Sequence, residues 1–307
     1  MITTVCMNPS FDKTASIQQL TVGEVNRLHD VRVDIGGKGI NVAIVLKRLG
    51  ADVRSVGILG EENAASFLQM LKKEELPFDY LSVPGEVRTN LKLVDSAEKK
   101  TTEFNEPGIS LSEEQLESFL QLLRESCADS THVVLSGRLP AGCAETTYQR
   151  CMKALDGKKC VLDSEGESLL HGIKEKPYLI KPNLHEIETI MRKELRTLRA
   201  LRDAALFLMG YGAQNVVISM GRYGAMFVNE NKTLFAPALM VEARSTVGAG
   251  DAMLGGILAG LTGGASLMEA FRYGVAAGAA SVMTDGTQLV HKSDFDALLS
   301  KVTVQEV

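Results

Sequence analysis

Short runs of β-branched and other apolar residues alternate along this chain with longer segments whose apolar positions recur at helical spacing. The pattern predicts strands at Ile2–Met7, Val53–Leu59, His132–Leu135, Lys159–Leu162, Tyr178–Ile180 and Val216–Ser219. Between them it predicts helices at Asn41–Leu49, Ala64–Lys73, Ser112–Ser126, Glu145–Leu155, Leu184–Lys193, Leu198–Gly210 and Leu267–Met283. Repeated βα alternation implies an α/β fold with a mostly parallel sheet and helices on both faces. In such sheets ligands gather beyond the carboxyl ends of the strands, so the strand-ending loops are where chemistry is expected.

Two stretches break the rhythm. Thr21–Gly36 and Glu86–Asn105 alternate in strand fashion, with Val87, Thr89, Leu91 and Leu93 in one run and Thr102 and Phe104 in the next. They are expected to form a small second sheet, built from roughly residues 12–36 and 86–105, that can act as a lid. No linker composition and no internal repeat divides the rest, so one α/β domain over 1–307 is expected. The basic stretch at 193–202 reads as the solvated face of a surface helix.

Composition narrows the partners. The 307 residues are 45% hydrophobic and 23% charged, with a formal net charge of −5. That balance, without a Lys/Arg stripe, argues against nucleic acid but leaves room for a small anionic ligand held by a few placed cations. The five cysteines are scattered and form no CxxC pair, which suits buried thiols in a reducing cytoplasm better than a disulfide framework or a zinc site. Met1–Pro9 lacks the features of a signal peptide. The longest apolar run, Ala252 to Thr262, is short of the roughly 20 residues that span a bilayer, so no membrane association is expected.

The strongest chemical signal is Ser245-Thr246-Val247-Gly248-Ala249-Gly250-Asp251, followed by a small-residue apolar run that reads as a buried helix. Free N–H groups in the first turn of such a helix, backed by its dipole, make an anion site. Asp251 at that rim is either an ordinary N-terminal capping residue or a carboxylate that takes a proton from an incoming hydroxyl. A second signal, Asp34-Ile35-Gly36-Gly37-Lys38-Gly39-Ile40-Asn41, sets a cation in a glycine loop leading into a helix. Neither GxxxxGK[ST] nor a GxGxxG after the first strand occurs. Asn8 and Asp12 follow the first strand with side chains suited to sugar hydroxyls. Lys181, Asn183 and Glu186 follow another, a grouping suited to a magnesium–nucleotide with Glu186 acting on the metal through water. Ser219, Gly221 and Gly224 form a further strand-end turn, and each of these features taken singly is also explained by capping or turn formation.

Together the motifs resemble those of PfkB-type sugar kinases in the ribokinase-like superfamily. The resemblance rests on Gly-Gly-Lys-Gly-Ile-Asn-Val-Ala at 36–43, Lys-Pro-Asn-x-x-Glu at 181–186 and Ser-Thr-Val-Gly-Ala-Gly-Asp at 245–251. It implies a three-layer α/β/α sandwich with a small β-sheet lid, ATP and Mg2+ as cofactors, and a homodimer contact through the lid. By the same resemblance Asp251 is the catalytic base and Gly248, Ala249 and Gly250 form the anion hole. Lys181, Asn183 and Glu186 organise the phosphates and metal, while Ser219, Gly221, Gly224, Thr246 and Ala277 border the nucleotide. Asp12, Gly37, Lys38, Asn41 and Asn90 match sugar-contacting positions, and Arg88 matches the arginine that grips an acceptor phosphate, with Lys92 on the same strand face as a further charge. The implied reaction is phosphorylation of a ketohexose phosphate, fructose 1-phosphate to fructose 1,6-bisphosphate, with tagatose 6-phosphate, a neutral sugar, or a sensor without turnover as alternatives. The chain departs from the family at Ser136-Gly137-Arg138-Leu139-Pro140, where Arg138 replaces a serine and is either a cation for the acceptor phosphate or an exposed loop residue. Thr284-Asp285-Gly286 is a further departure near the adenine side.

Overall fold

The computed structural model describes residues 1–307, and most of the apolar runs become elements close to their expected bounds. The chain opens with β1 (Ile2–Cys6), leaves the main sheet for β2 (Ser10–Ile17) and β3 (His29–Gly36), and returns through α1 (Lys38–Arg48) to β4 (Val53–Gly60). After α2 (Ala64–Lys73) and β5 (Phe78–Val83) it departs again for β6 (Arg88–Asp95) and β7 (Lys100–Asn105). Alternation resumes with α3 (Glu113–Ser126), β8 (His132–Ser136), α4 (Thr147–Ala154), β9 (Lys159–Asp163), α5 (Gly166–Ile173) and β10 (Leu179–Ile180). Then come α6 (Leu184–Met191), α7 (Leu198–Gly210), β11 (Asn215–Ser219), β12 (Ala225–Asn229) and β13 (Thr233–Ala236). The chain finishes with α8 (Ala249–Thr262), α9 (Leu267–Val282), α10 (Lys292–Leu299) and β14 (Gln305–Glu306).

The large sheet has the order β14-β13-β12-β11-β10-β9-β8-β1-β4-β5, parallel from β11 to β5 and antiparallel beyond. Its strands are apolar on both sides because both faces are covered. Alternate residues of one strand enter different cores: Val134 joins the cluster under α1, α8 and α9, while Val133 and Leu135 join the cluster under α3, α4, α5 and α7. Three layers result, as expected. The helix predicted from residue 41 begins three residues earlier, at Lys38, because Gly37 with φ +105° turns the chain directly into it.

The small sheet, order β3-β2-β6-β7, is built from the two predicted stretches. Its first strand, Ser10–Ile17, starts two residues before the expected 12–36 stretch, and 21–28 carries no strand. Register separates its faces. Asp34, Asp12, Asn90 and Asn105 form one cross-strand row, whereas Val33, Lys13, Leu91 and Phe104 form the adjacent row on the opposite face. Of the 193–202 stretch only 198–202 is helical, as the start of α7, while 193–197 is a loop; its arginines and Lys193 are in solvent and Leu195 and Leu201 are buried.

Candidate active site

A cavity of about 870 Å³ lies between the carboxyl ends of the large sheet and the polar face of the small one. Parallel topology brings β1, β8, β9, β10 and β11 to the same edge, so the loops that follow them converge there. Apart from Ala277, every residue expected to take part in binding or chemistry lines this one cavity.

Asp251 sits in the first turn of α8, buried, and accepts a 2.8 Å hydrogen bond from Asn41 Nδ2. Burial, and then the nearby Asp163, push its carboxyl up to about 6, against the opposing pull of Lys38, Asn41 and Lys181. Its side chain caps nothing, and the Ncap position belongs to Gly248, left-handed at φ +77°. A side chain there would be strained by that φ, and its Cβ would come within 2.7 Å of Leu289 Cδ2. The capping alternative for Asp251 is therefore set aside. The amides of Gly250 and Asp251 donate to no protein acceptor, while that of Ala249 reaches Thr246 O at 3.4 Å. Two free donors at the positive end of a fourteen-residue helix face the cavity.

Two lysines flank this turn. Lys181 Nζ lies so near Gly250 that a Cβ there would approach it to 3.1 Å. Lys181 and Lys38 each stand 3.5 Å from Asp163 Oδ1. Asp163 raises the Lys38 ammonium above its ordinary range. Burial opposes the charge of Asp163, yet Lys181 and then Lys38 hold its carboxyl below the usual value. Asp163 went unnoticed in the sequence, where the apolar strand was expected to stop at Leu162. A carboxylate closing such a run was the available signal.

On the small-sheet side Asp12 is buried and accepts from Ser10 Oγ at 2.9 Å, Asn90 Nδ2 at 2.9 Å and Lys92 Nζ at 3.1 Å. Lys92 was expected as a charge for the acceptor; it is instead a buried cation neutralised by Asp12. Arg88 differs. Its guanidinium makes three hydrogen bonds, each 3.3 Å, to Asn90 Oδ1, Glu106 O and Asn8 O. Its Nε is buried without a partner, and no carboxylate pairs with it. Burial, the main cause, lowers its hold on the proton. A half-buried cation without a counter-charge is costly unless an anion arrives. Arg138 stands at the mouth, its side chain 72% exposed and 3.3 Å from Glu165 Oε1. Both of its sequence readings survive: it is an exposed loop residue and it lines the cavity.

Toward the other end, Asn183 and Glu186 cap α6 reciprocally: Glu186 N donates to Asn183 Oδ1 (2.9 Å) and Asn183 N to Glu186 Oε2 (2.8 Å). Asn183 also bridges to Ser219, which ties this turn to the Gly221–Gly224 turn. Glu186 is one carboxylate with no cluster of three ligating side chains around it. That fits a magnesium ion carried mainly by phosphate and water, which needs one or two carboxylates rather than a protein cage. Beyond these polar groups the wall turns apolar, through Leu239, Val241, Val275, Ala279 and Val282, and Thr246 closes it. Ala277 corrects expectation. It is fully buried between α8 and α9, beside Gly256, because helical spacing turns it by about 100° or more away from the lining residues Val275, Gly278 and Ala279.

Residues 6–293 match the family described as pfkB family carbohydrate kinase. The chain is 34% identical to the 1-phosphofructokinase of Vibrio cholerae, over 99% of its own length and 96% of the relative's. It is 38% identical to the 1-phosphofructokinase of Xanthomonas campestris, over 87% and 86%. Among solved structures, phosphofructokinase-2 from Escherichia coli in complex with fructose-6-phosphate superposes with a TM-score of 0.90 at 28% identity, covering 98% of each chain.

Proposed function

The chain belongs to the pfkB family of carbohydrate kinases, and from that premise we propose that it transfers the γ-phosphoryl group of ATP to fructose 1-phosphate, giving fructose 1,6-bisphosphate. The observation that carries the choice of a phosphorylated acceptor is Arg88, a half-buried guanidinium without a carboxylate partner on the wall facing Asp251. A neutral sugar would leave that charge uncompensated. The names of the relatives support the choice of ketohexose.

In this reading the acceptor phosphate binds Arg88, with Arg138 at the mouth as a supplementary cation. The sugar lies along Asp12, Gly37, Lys38, Asn41 and Asn90, which sets one hydroxyl against Asp251. The Asp251 carboxylate takes the hydroxyl proton as the oxygen bonds to the γ-phosphorus. The bond from that phosphorus to the bridging oxygen breaks, and ADP leaves with the electron pair. The free amides at the start of α8, with Gly248 shaping the turn, and the Lys38 and Lys181 ammonium groups stabilise charge on the phosphoryl oxygens. When bound, Mg2+ would supply further positive charge, and Glu186, beside Asn183, would hold it through water. The nucleotide base would rest on the apolar wall near Ser219, Gly221, Gly224 and Thr246. The small sheet acts as a lid on one kinase domain, excluding water when it closes. Five free cysteines support a cytoplasmic setting.

The test is ADP release with Mg-ATP against fructose 1-phosphate, tagatose 6-phosphate, fructose 6-phosphate and fructose. Fructose 1-phosphate should be preferred by at least about tenfold in kcat/KM over the other phosphates, since phosphate position sets how many contacts Arg88 makes. Preferential turnover of tagatose 6-phosphate keeps the mechanism and reassigns the substrate; binding without ADP release sinks the kinase reading for this chain.

The outer face of the lid supports a homodimer. Val33 and Phe104 are 43% and 51% exposed, in one row across the sheet with Lys13 and Leu91, facing away from the cavity. Light scattering should find a dimer, and Val33→Glu with Phe104→Glu should convert it to monomer. A wild-type monomer at assay concentration would remove the lid contact.

A further inference from the structure

We propose that Asp163 is a positioning residue that holds Lys38 and Lys181 together beneath the phosphoryl-transfer position and so keeps both of them off Asp251. The inference rests on the kinase reading for its catalytic consequence.

Asp163 ends β9 and does not line the cavity; its neighbours Ser164 and Glu165 do. Its side chain is 1% exposed. Oδ2 accepts from Ser136 Oγ at 3.2 Å, a bond from the end of the adjacent strand β8. Oδ1 has no hydrogen bond of good geometry and instead lies 3.5 Å from each of the two ammonium groups. Those lysines come from different parts of the fold: Lys38 opens α1, and Lys181 follows β10. One buried carboxylate is thus the common counter-charge of two cations.

Asp251 is the only other carboxylate buried beside them. The charged groups facing it are Lys38 from α1, Lys181 from the end of β10 and Asp163 from the end of β9, with Glu165 and Glu186 beyond Lys38. Neither lysine is within ion-pair range of Asp251, whose one side-chain partner is the neutral Asn41. Two unclamped ammonium groups in that volume would pair with Asp251 directly. Such a pair would stabilise the ionised carboxylate and weaken it as a proton acceptor. It would also draw the lysines away from the phosphoryl oxygens. With Asp163 present, the two cations face the phosphate path and the base keeps a free oxygen.

The experiment compares Asp163→Asn with the parent enzyme in two readouts. The first is the midpoint of the Asp251 carboxyl followed by 13C NMR in the ligand-free protein, which needs no turnover. It should fall by about one pH unit when the Asp163 charge is removed. The second is kcat at saturating ATP and acceptor, which should fall about 10²-fold with a much smaller change in either KM. Asp163→Glu should recover part of both. The milder Ser136→Ala, which removes only the bond to Oδ2, should shift both in the same direction by less, and it serves if Asp163→Asn does not fold. In a Lys38→Met, Lys181→Met background the Asp163 substitution should add little. A lowered Tm with an unmoved Asp251 midpoint would make Asp163 merely structural and overturn the proposal. So would a loss of kcat that persists undiminished in the lysine-free background, or one that is restored by raising Mg2+. If the parent enzyme turned over none of the acceptors, the kinase reading would fail while the NMR midpoint still judged the clamp.

Discussion

Asp251→Asn is expected to lower kcat by about 10³-fold while leaving nucleotide binding intact. The substitution keeps the shape, and the new amide oxygen can still accept from Asn41 Nδ2. The α8 amides and both lysines stay in place, and a negative charge near the phosphates disappears. ATP affinity should therefore hold or rise. The parent enzyme should lose kcat as pH falls through about 6, where Asp251 takes up a proton. The residual activity of the variant should lack that limb. Stability moves the other way. The folded carboxyl titrates at about 6 against 3.8 for an ordinary aspartate, so the native state binds its proton more tightly than the unfolded chain. This group then costs nothing below about pH 3.8, destabilises the fold progressively as pH rises from there to about 6, and imposes its full cost above that. Removing the charge should raise stability at pH 8 by on the order of 2 kcal/mol. Unchanged kcat would take Asp251 out of the mechanism; a kcat loss accompanied by a lower Tm would point to a structural role.

The parts of this site that lie in one stretch of chain were legible before any coordinates. The run at 245–251 announces a helix start with free amides, and the structure adds only that Gly248 is left-handed and that Asp251 does not cap. The βα alternation likewise gave the layer order, because period and length are local properties. What escaped was non-local. Asp163 gains its meaning from Lys38 and Lys181, which approach it from distant segments through parallel pairing of β8, β9 and β10. Lys92 looked like a free cation because its partner, Asp12, is eighty residues away and reaches it diagonally across two strands. Ala277 failed for a helical reason, since one residue's difference along α9 decides between cavity and core. Short elements were also lost. α5 begins with a glycine at φ +58° and is eight residues long, and β14 has two residues, both exposed. Neither carries enough periodic signal to stand out from a loop.

Arg88→Ala is expected to raise KM for the phosphorylated acceptor by about 10²-fold and to change KM for ATP by no more than about threefold. Truncating one partner of a desolvated charge pair typically costs 2–5 kcal/mol in binding, and the lower half of that range already gives the factor. The asymmetry follows from position. Arg88 opens β6 in the small sheet, on the face that carries Asp12 and Asn90, whereas the capped turn at Asn183 and Glu186 belongs to the large sheet. Unphosphorylated fructose should bind the variant no worse than the parent, which separates a charge contact from a lost wall. Arg88→Lys should restore only part of the affinity, because a single ammonium cannot match the planar guanidinium fork on a phosphate. Arg138→Ala should have a smaller effect than Arg88→Ala, since an exposed cation already near Glu165 gains less from the same anion. The ligand-free protein should lose little stability, only the three long hydrogen bonds of the guanidinium. Arg88 has no ion pair to break, and Asp12 keeps Lys92, Asn90 and Ser10. An equal fall in ATP and acceptor affinity would show that Arg88 supports the cavity as a whole; an acceptor KM unmoved in the variant would put the phosphate somewhere else, with Arg138 and Lys38 the next groups to test.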